Sequence, residues 1–218
     1  MKKQSMETIE IQPIKIEKVA ISIVGDTPLI VHAWSEKAKR EMLDKQMKKT
    51  QTKGRDAKNP VEDFINSMYW LSGKPLEHTP DAVKSAIDGG AKFGFPSGAI
   101  KQAAIAGAYR SGAVRDMASC RGVFFVGGAA EDGGLLEIKG DAPIMREDMV
   151  RVGMGTADIR YRGEFRNWSM DLTISYNANG KYTLEQVINM LNIGGFTVGI
   201  GEWRPEKDGQ YGMFRVAT

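Results

Sequence analysis

Hydrophobic and polar positions alternate over the first part of the chain that has a clear pattern. Between Ile14 and Val31, β-branched residues recur at strand spacing, and the run is interrupted at Gly25-Asp26-Thr27-Pro28. A period of two residues is typical of a strand with one buried face, whereas Gly, Asp and Pro favour turns. The pattern predicts a strand, or a strand with a bend, over these residues.

Helical patterns follow this strand. Ser35 is expected to cap a polar helix with a thin apolar face. Asn59-Pro60 and Thr79-Pro80 are expected to start two more helices, the second of which ends at Gly89-Gly90. Proline is favoured in the first turn of a helix and glycine just beyond its end. Residues 34–92 are therefore predicted to form a helical insertion that leaves and re-enters a β framework.

The rest of the chain predicts that framework. Ser97 is expected to cap a helix that runs to about Arg110, and Thr183 with Gln186 forms a capping box before a second helix, whose apolar stripe ends at Leu191. Strand-like runs cover residues 122–126, 135–139, 168–176 and 211–216. Without the insertions, and with the two short runs at 122–126 and 135–139 counted as one element, the order of elements is strand, helix, strand, strand, helix, strand.

That order is the ferredoxin-like, split βαβ arrangement. We therefore predict an α+β fold with a ferredoxin-like (RRM-like) core, in a single domain over residues 1–218. Residues 34–92 are its helical insertion, and residues 146–168 are a basic and aromatic excursion. The periodicities predict that the following side chains meet in one core: Ile21, Ile23, Ala104, Val123, Phe125, Ile174, Val187, Ile188, Leu191 and Phe214.

Composition narrows the class of protein. Hydrophobic residues at 42% of 218 are enough for one sizeable core, and no apolar run is long enough to cross a bilayer. A single cysteine, Cys120, excludes an internal disulfide and a cysteine zinc cluster. These features are typical of a cytoplasmic protein without a membrane partner. No cofactor or metal motif is present, so none is predicted.

The net charge of +3 is too small to argue for nucleic-acid binding, so the case depends on where the cations lie. Residues 37–58 carry nine basic and three acidic residues. In residues 146–168, arginines interleave with aromatic residues: Arg160, Arg162, Arg166, Tyr161, Phe165 and Trp168. Cations beside flat rings favour single-stranded nucleic acid. The alternative is that the rings are core anchors and the arginines pair with Asp158 and Glu164.

A glycine-rich segment follows the last predicted helix. It contains Gly194, Gly195, Gly199 and Gly201, followed by Arg204. Glycine permits positive φ and lets another backbone approach closely, and arginine suits phosphate. The segment is therefore a candidate contact for a polynucleotide. The alternative is an ordinary glycine-rich turn between a helix and a final hairpin.

Two of these segments together resemble a known family. The run Phe95-Pro96-Ser97-Gly98-Ala99-Ile100-Lys101-Gln102-Ala103 resembles the opening of the first core helix in the RAMP superfamily, RRM-like proteins that include the backbone subunits of CRISPR effector complexes. The glycines of residues 194–212 resemble that superfamily's C-terminal glycine-rich loop. The chain is also similar in style to small phage proteins. The resemblance implies binding of single-stranded nucleic acid, often by a row of subunits, through Lys101 and the glycine loop with Arg204.

We therefore expect a non-catalytic protein that binds single-stranded DNA or RNA through backbone phosphates and forms a homo-oligomer. A structural or regulatory protein that binds a protein partner, such as a phage protein acting on its host, is the leading alternative. A RAMP-type ribonuclease is the third. His32 and His78 lie in different segments, and no Walker loop, zinc spacing or nucleophile elbow is present, so no catalytic residue is assigned.

The candidate cations are predicted to line one groove, whose floor is formed by residues 194–201. The residues assigned to it are Lys101, Arg160, Arg162, Arg166 and Arg204, with Lys48, Lys49, Lys53 and Arg55 on its rim. Because exposed cations contribute little to folding, removal of Arg160 and Arg162 together is expected to weaken binding and leave thermal stability nearly unchanged.

Overall fold

The computed structural model describes residues 13–34, 36–47, 58–128, 134–152 and 155–217. Within these residues the chain forms five α-helices: α1 (Glu36–Gln46), α2 (Pro60–Asn66), α3 (Pro80–Asp88), α4 (Ser97–Arg110) and α5 (Leu184–Thr197). It also forms ten strands: β1 (Ile16–Gly25), β2 (Leu29–Val31), β3 (Tyr69–Ser72), β4 (Lys92–Pro96), β5 (Phe124–Gly127), β6 (Leu135–Gly140), β7 (Ile144–Val152), β8 (Thr156–Phe165), β9 (Trp168–Asn177) and β10 (Phe214–Val216).

The strands form two antiparallel sheets. The larger has seven strands, and six of them follow the order β10-β1-β9-β6-β4-β3. The seventh, β5, pairs with the C-terminal half of β9, while β6 pairs with the first residues of β9. The smaller sheet has the order β2-β8-β7. The fold is therefore a mixed α+β arrangement whose sheets are antiparallel, as the strand and helix patterns predicted.

The two segments that were predicted to lie outside the core framework both contain strands. The segment 34–92 contains the three expected helices, but it also contains β3, which pairs with β4 at the end of the larger sheet. The segment 146–168 falls largely on the hairpin β7–β8, which forms the smaller sheet with β2. The predicted helical insertion therefore contains its three helices and, in addition, one strand, which was missed because a four-residue strand gives a weak periodic signal.

Helices α4 and α5 cover one face of the larger sheet and enclose the main core. Ile23, Ile174, Leu191 and Phe214 are all buried there, as predicted. Phe125 was assigned to the core but is 60% exposed, because Phe124 points inward instead. Adjacent residues of a strand face opposite sides of a sheet, so placing the wrong phenylalanine inside reverses every side chain of the strand.

The start of α4 also differs from its prediction. Ser97 is the first helical residue, and Pro96 occupies the N-cap position without a side-chain cap. The Ser97 backbone N–H instead donates to the Gly134 carbonyl at 2.7 Å. The capping box of Thr183 and Gln186 at the start of α5 is confirmed. No helix in the described ranges is long and apolar enough to cross a membrane.

Candidate nucleic-acid interface

The first two glycines of the glycine-rich segment lie inside a helix, where they form a close helix–helix contact. Gly194 and Gly195 belong to the last turns of α5 and are buried, so their assignment to a loop was wrong. A Cβ added to Gly194 would lie 2.5 Å from the Ala103 carbonyl oxygen, and one added to Gly107 would lie 2.6 Å from the Gly194 Cα. These glycines let the backbones of α4 and α5 meet.

The other two glycines form the predicted turn. Gly199 and Gly201 have φ of +67° and +78°, in the left-handed region that favours glycine. A Cβ on Gly201 would lie 2.4 Å from the Ile30 carbonyl oxygen. Glu202 N–H donates to that same carbonyl at 2.9 Å, so the turn is fastened to β2.

A cleft of about 460 Å³ opens between this turn, the end of β2 and the first half of α4. Its residues come from five parts of the fold: His32, Trp34, Tyr69, Phe95, Pro96, Ala99, Gln102, Ala103, Val198, Gly199, Ile200, Gly201, Glu202, Arg204 and Glu206. The Trp34 side chain is 62% exposed. Tyr69 meets Phe95 edge to face, with ring centres 6.4 Å apart. The cleft therefore combines flat rings with polar groups.

A histidine and a carboxylate meet at the cleft. His32 Nδ1 lies 3.6 Å from Glu202 Oε1. The nearby His32 side chain lowers the pKa of Glu202, against the opposing effect of burial and with help from Arg162. Glu202 also approaches Arg162 Nη2 at 3.6 Å. This carboxylate thus links the cleft to the β7–β8 hairpin.

Arg204 lines the cleft but is already engaged. Its Nε and Nη2 donate to Glu206 Oε2 at 3.0 and 2.7 Å, and its Nη1 donates to the Gly201 carbonyl at 2.9 Å. Arg110 Nη2 donates to the other oxygen of Glu206 at 2.6 Å. Burial raises the pKa of Glu206, but the two arginines outweigh it and hold that pKa low. Two guanidinium groups thus share the Glu206 carboxylate, and the same cleft also carries the Glu202 carboxylate.

The base of the β7–β8 hairpin carries a buried ion network. Arg162 is only 2% exposed, and its Nη1 donates to Asp148 Oδ2 at 2.9 Å. Arg146 bridges Asp148 and Glu164 at 2.8 Å each. Arg146 also stacks on Tyr211, with its guanidinium carbon 4.6 Å from the ring centre. Arg162 therefore holds the hairpin to the glycine-rich segment, and the prediction that it is an exposed cation was wrong.

The other two arginines that the sequence assigned to the groove, Arg160 and Arg166, pair with the acids that the alternative interpretation named. Arg160 Nε lies 3.7 Å from Asp158 Oδ2, and Arg166 Nε lies 3.2 Å from Glu164 Oε1. Their side chains are still 38% and 67% exposed. Phe165 and Trp168 are buried, as that interpretation also predicted. The Arg160–Asp158 pair is exposed on both sides, and such surface pairs are weak, whereas Arg166 pairs with a buried carboxylate.

Lys101 lies on a different side of α4. Its ammonium donates to the Arg121 carbonyl at 2.7 Å and sits 4.0 Å from the centre of the Phe125 ring. Burial there lowers the pKa of Lys101. The structure thus brings Arg162 and Arg204 to the two sides of Glu202 and does not add Lys101 to them. The predicted rim residues, Lys48, Lys49, Lys53 and Arg55, lie outside the described residues.

Three cleft residues were missed by the sequence analysis. The sequence patterns assign no binding role to His32, Trp34 or Tyr69. Strand alternation offered no signal for His32 and Trp34, because all three residues of β2 are buried and residues 32–34 follow the end of that strand. Tyr69 reaches the cleft through tertiary packing, which no local pattern encodes.

The ion network predicts a dependence of stability on pH. Burial raises the pKa of Asp148, but hydrogen bonds from Arg146 and Arg162 outweigh it and hold the pKa below its ordinary value of 3.8. A lowered folded-state pKa contributes stability above the unfolded value, and this contribution is lost as the pH falls through the folded value. Asp148→Asn should therefore melt below the parent at neutral pH.

The gap between the two melting temperatures should narrow as the pH falls from about 4 to about 2. Thermal melts of both proteins across this range measure it. A gap that stays constant down to the lowest pH would show that the charge of Asp148 does not stabilise the fold.

Among the described residues, no group of three or more His, Cys, Asp or Glu side chains is placed to hold a metal ion. A scan against protein-family models gave no match to this chain, and a search of curated proteins gave none either.

Proposed function

We propose that this protein binds single-stranded nucleic acid in the cytoplasm, and that a base enters the cleft beside Trp34. The observation that carries the proposal is the exposed indole at the mouth of a cleft that also presents Tyr69 and polar groups. Bases of any sequence stack on such rings, and hydrogen-bonding groups such as Gln102 orient them. The turn at Gly199 and Gly201 brings bare backbone to the same wall.

Cations near the cleft supply the contact with phosphate. Helix α1 follows Trp34 directly and carries Lys39, whose charge lowers the pKa of Tyr69 against the larger effect of burial. Arg40 is exposed on the same helix, and the basic run continues to Lys58. We assign phosphate contact to this run and to Arg204, and not to Arg162, because Arg162 is buried.

We also propose that strands β10, β1, β9 and β5, with α4 and α5, form a ferredoxin-like core similar to that of the RAMP superfamily. In support, these strands neighbour one another in that order, and every pair is antiparallel. Along the chain, α4 lies between β1 and β5, and α5 lies between β9 and β10, as the split βαβ arrangement requires. In this view the rest of the chain, including the smaller sheet, is inserted into one domain.

Trp34→Ala tests the assigned site. Loss of one stacking ring should weaken binding of single-stranded DNA or RNA by about tenfold, whatever the sequence of the strand. Fluorescence anisotropy with labelled oligonucleotides measures this change. Phe196→Ala is the matched control, because it removes an aromatic side chain of similar exposure, 69%, that lies on α5 outside the cleft.

The control should bind like the parent. Equal affinity of Trp34→Ala and the parent would move the site away from the cleft, and an equal loss in both variants would mean that exposed rings act without a defined site.

A second candidate function is binding of a protein partner. The pairing of Arg160, Arg162, Arg166 and Arg204 with carboxylates favours it, because arginines paired in this way are typical of structural contacts and interfaces. Binding of neither DNA nor RNA at low salt would favour this candidate over the first.

A further inference from the structure

Strand β7 is the outer strand of the smaller sheet. Its nine residues pair with β8 on one side, and no described strand pairs with its other side. An outer strand presents unpaired backbone N–H and C=O groups and is a template for a further strand unless it is protected. The side chains of β7 show which strand would fit there.

One face of the hairpin is apolar at its centre and charged on both sides. Met149 is 77% exposed and lies opposite Ile159 of β8, which is 42% exposed. Glu147 and Arg151 lie two residues to either side of Met149 on the same face, because alternate residues of a strand share a face. Arg151 is exposed. Glu147 accepts a hydrogen bond from Tyr161, which raises the pKa of that tyrosine.

We propose that two copies of this chain pair β7 with β7, antiparallel, about a two-fold axis at Met149. In this register Met149 faces Met149 of the second copy, and Glu147 faces Arg151 of the second copy. The symmetry repeats the ion pair on the other side of the axis. Opposite charges directly across two strands stabilise their pairing.

Neighbouring registers lack this match. An axis at Glu147 sets two glutamates against each other, and an axis at Asp148 sets two aspartates against each other. Like charges directly opposite destabilise strand pairing, and an axis at Val150 sets Arg151 opposite Met149 and leaves Glu147 without a charged partner. The axis at Met149 is therefore the one that pairs Glu147 with Arg151. Charge complementarity thus identifies a second copy of this chain as the occupant of the edge.

The pairing would join two three-stranded sheets into one of six strands. Ile159 and Met149 of both copies would form one apolar row across the centre, and each methionine would cover the other. A two-fold contact closes on itself and gives a dimer, whereas a row of subunits needs a head-to-tail contact. This pairing of two copies requires no bound nucleic acid.

A charge exchange across the pair tests this inference. Sedimentation velocity over a range of protein concentrations should give a dimer for the parent. Arg151→Glu and Glu147→Arg should each weaken the dimer at least about tenfold, because either change creates two like-charge contacts. The double variant Glu147→Arg/Arg151→Glu should dimerise like the parent, because the pairs are restored with exchanged signs.

Circular dichroism spectra should match across the four proteins, which keeps a loss of folding distinct from a loss of pairing. A parent that stays monomeric at every concentration would overturn the inference, as would a dimer that either single change leaves intact. A double variant that remains monomeric would equally overturn it, since restored charges must restore this register.

Discussion

Gly194→Ala should lower the free energy of unfolding by about 2–3 kcal/mol, although alanine is the better helix former. The added methyl group would lie 2.5 Å from the Ala103 carbonyl oxygen and from the Ala104 Cα. Both obstacles are backbone atoms, so helices α4 and α5 must move apart and the core between them loosens. Denaturation by urea, followed by circular dichroism, measures the loss.

Gly98→Ala is the matched control for this change. Gly98 also lies in a helix, α4, but no atom lies within 4 Å of its added Cβ. Helix propensity alone then acts, and stability should rise by up to about 1 kcal/mol. If the two variants were equally stable, the close contact between α4 and α5 would be contradicted.

Arg162→Ala should lower the free energy of unfolding by about 3 kcal/mol, the typical cost of breaking a buried ion pair. The change leaves buried Asp148 with Arg146 as its remaining strong partner and removes the link to Glu202. Arg160→Ala is the control, since Arg160 is on the same face of β8 but is 38% exposed, and its loss should cost less than about 1 kcal/mol.

The same urea titration measures both variants. Similar stabilities for Arg162→Ala and Arg160→Ala would show that Arg162 is not held in a buried network. The double variant Arg162→Met/Asp148→Asn should recover part of the stability that Arg162→Ala loses. The Arg162 Nε has no hydrogen-bond partner among the described residues, so burial of this guanidinium is costly, and the double variant removes that cost.

Local patterns predicted the elements whose signals are local. The capping box at Thr183 and the proline-first helices at Pro60 and Pro80 are confirmed, because each depends on groups within one turn. The predicted order of elements leaves out one strand, since β5, β6 and β9 all lie between α4 and α5 outside the two insertions. Phe125 was placed on the wrong side, since two adjacent phenylalanines do not fix which one faces the core.

The site was less predictable because it depends on pairing between distant segments. Arg162 and Asp148 are 14 residues apart and meet only across β7 and β8, so an arginine-rich run looked like an exposed patch. Gly194 looked like part of a loop, because glycine has a low helix propensity. Helix α5 nevertheless continues through Gly194, since glycine lets α4 and α5 pack closely. Trp34, Tyr69 and Glu202 come together only in the folded chain.

A salt-dependent titration of the purified protein with labelled single-stranded DNA and RNA tests the proposed function most directly. The proposal predicts saturable binding at low salt that weakens as salt rises, because each phosphate contact releases bound counterions, with a slope of about −0.7 per contact in a plot of log affinity against log salt. The same samples, run on a denaturing gel, should contain intact strands. Binding of neither strand at low salt would contradict the proposal, and cleaved strands would indicate a ribonuclease instead.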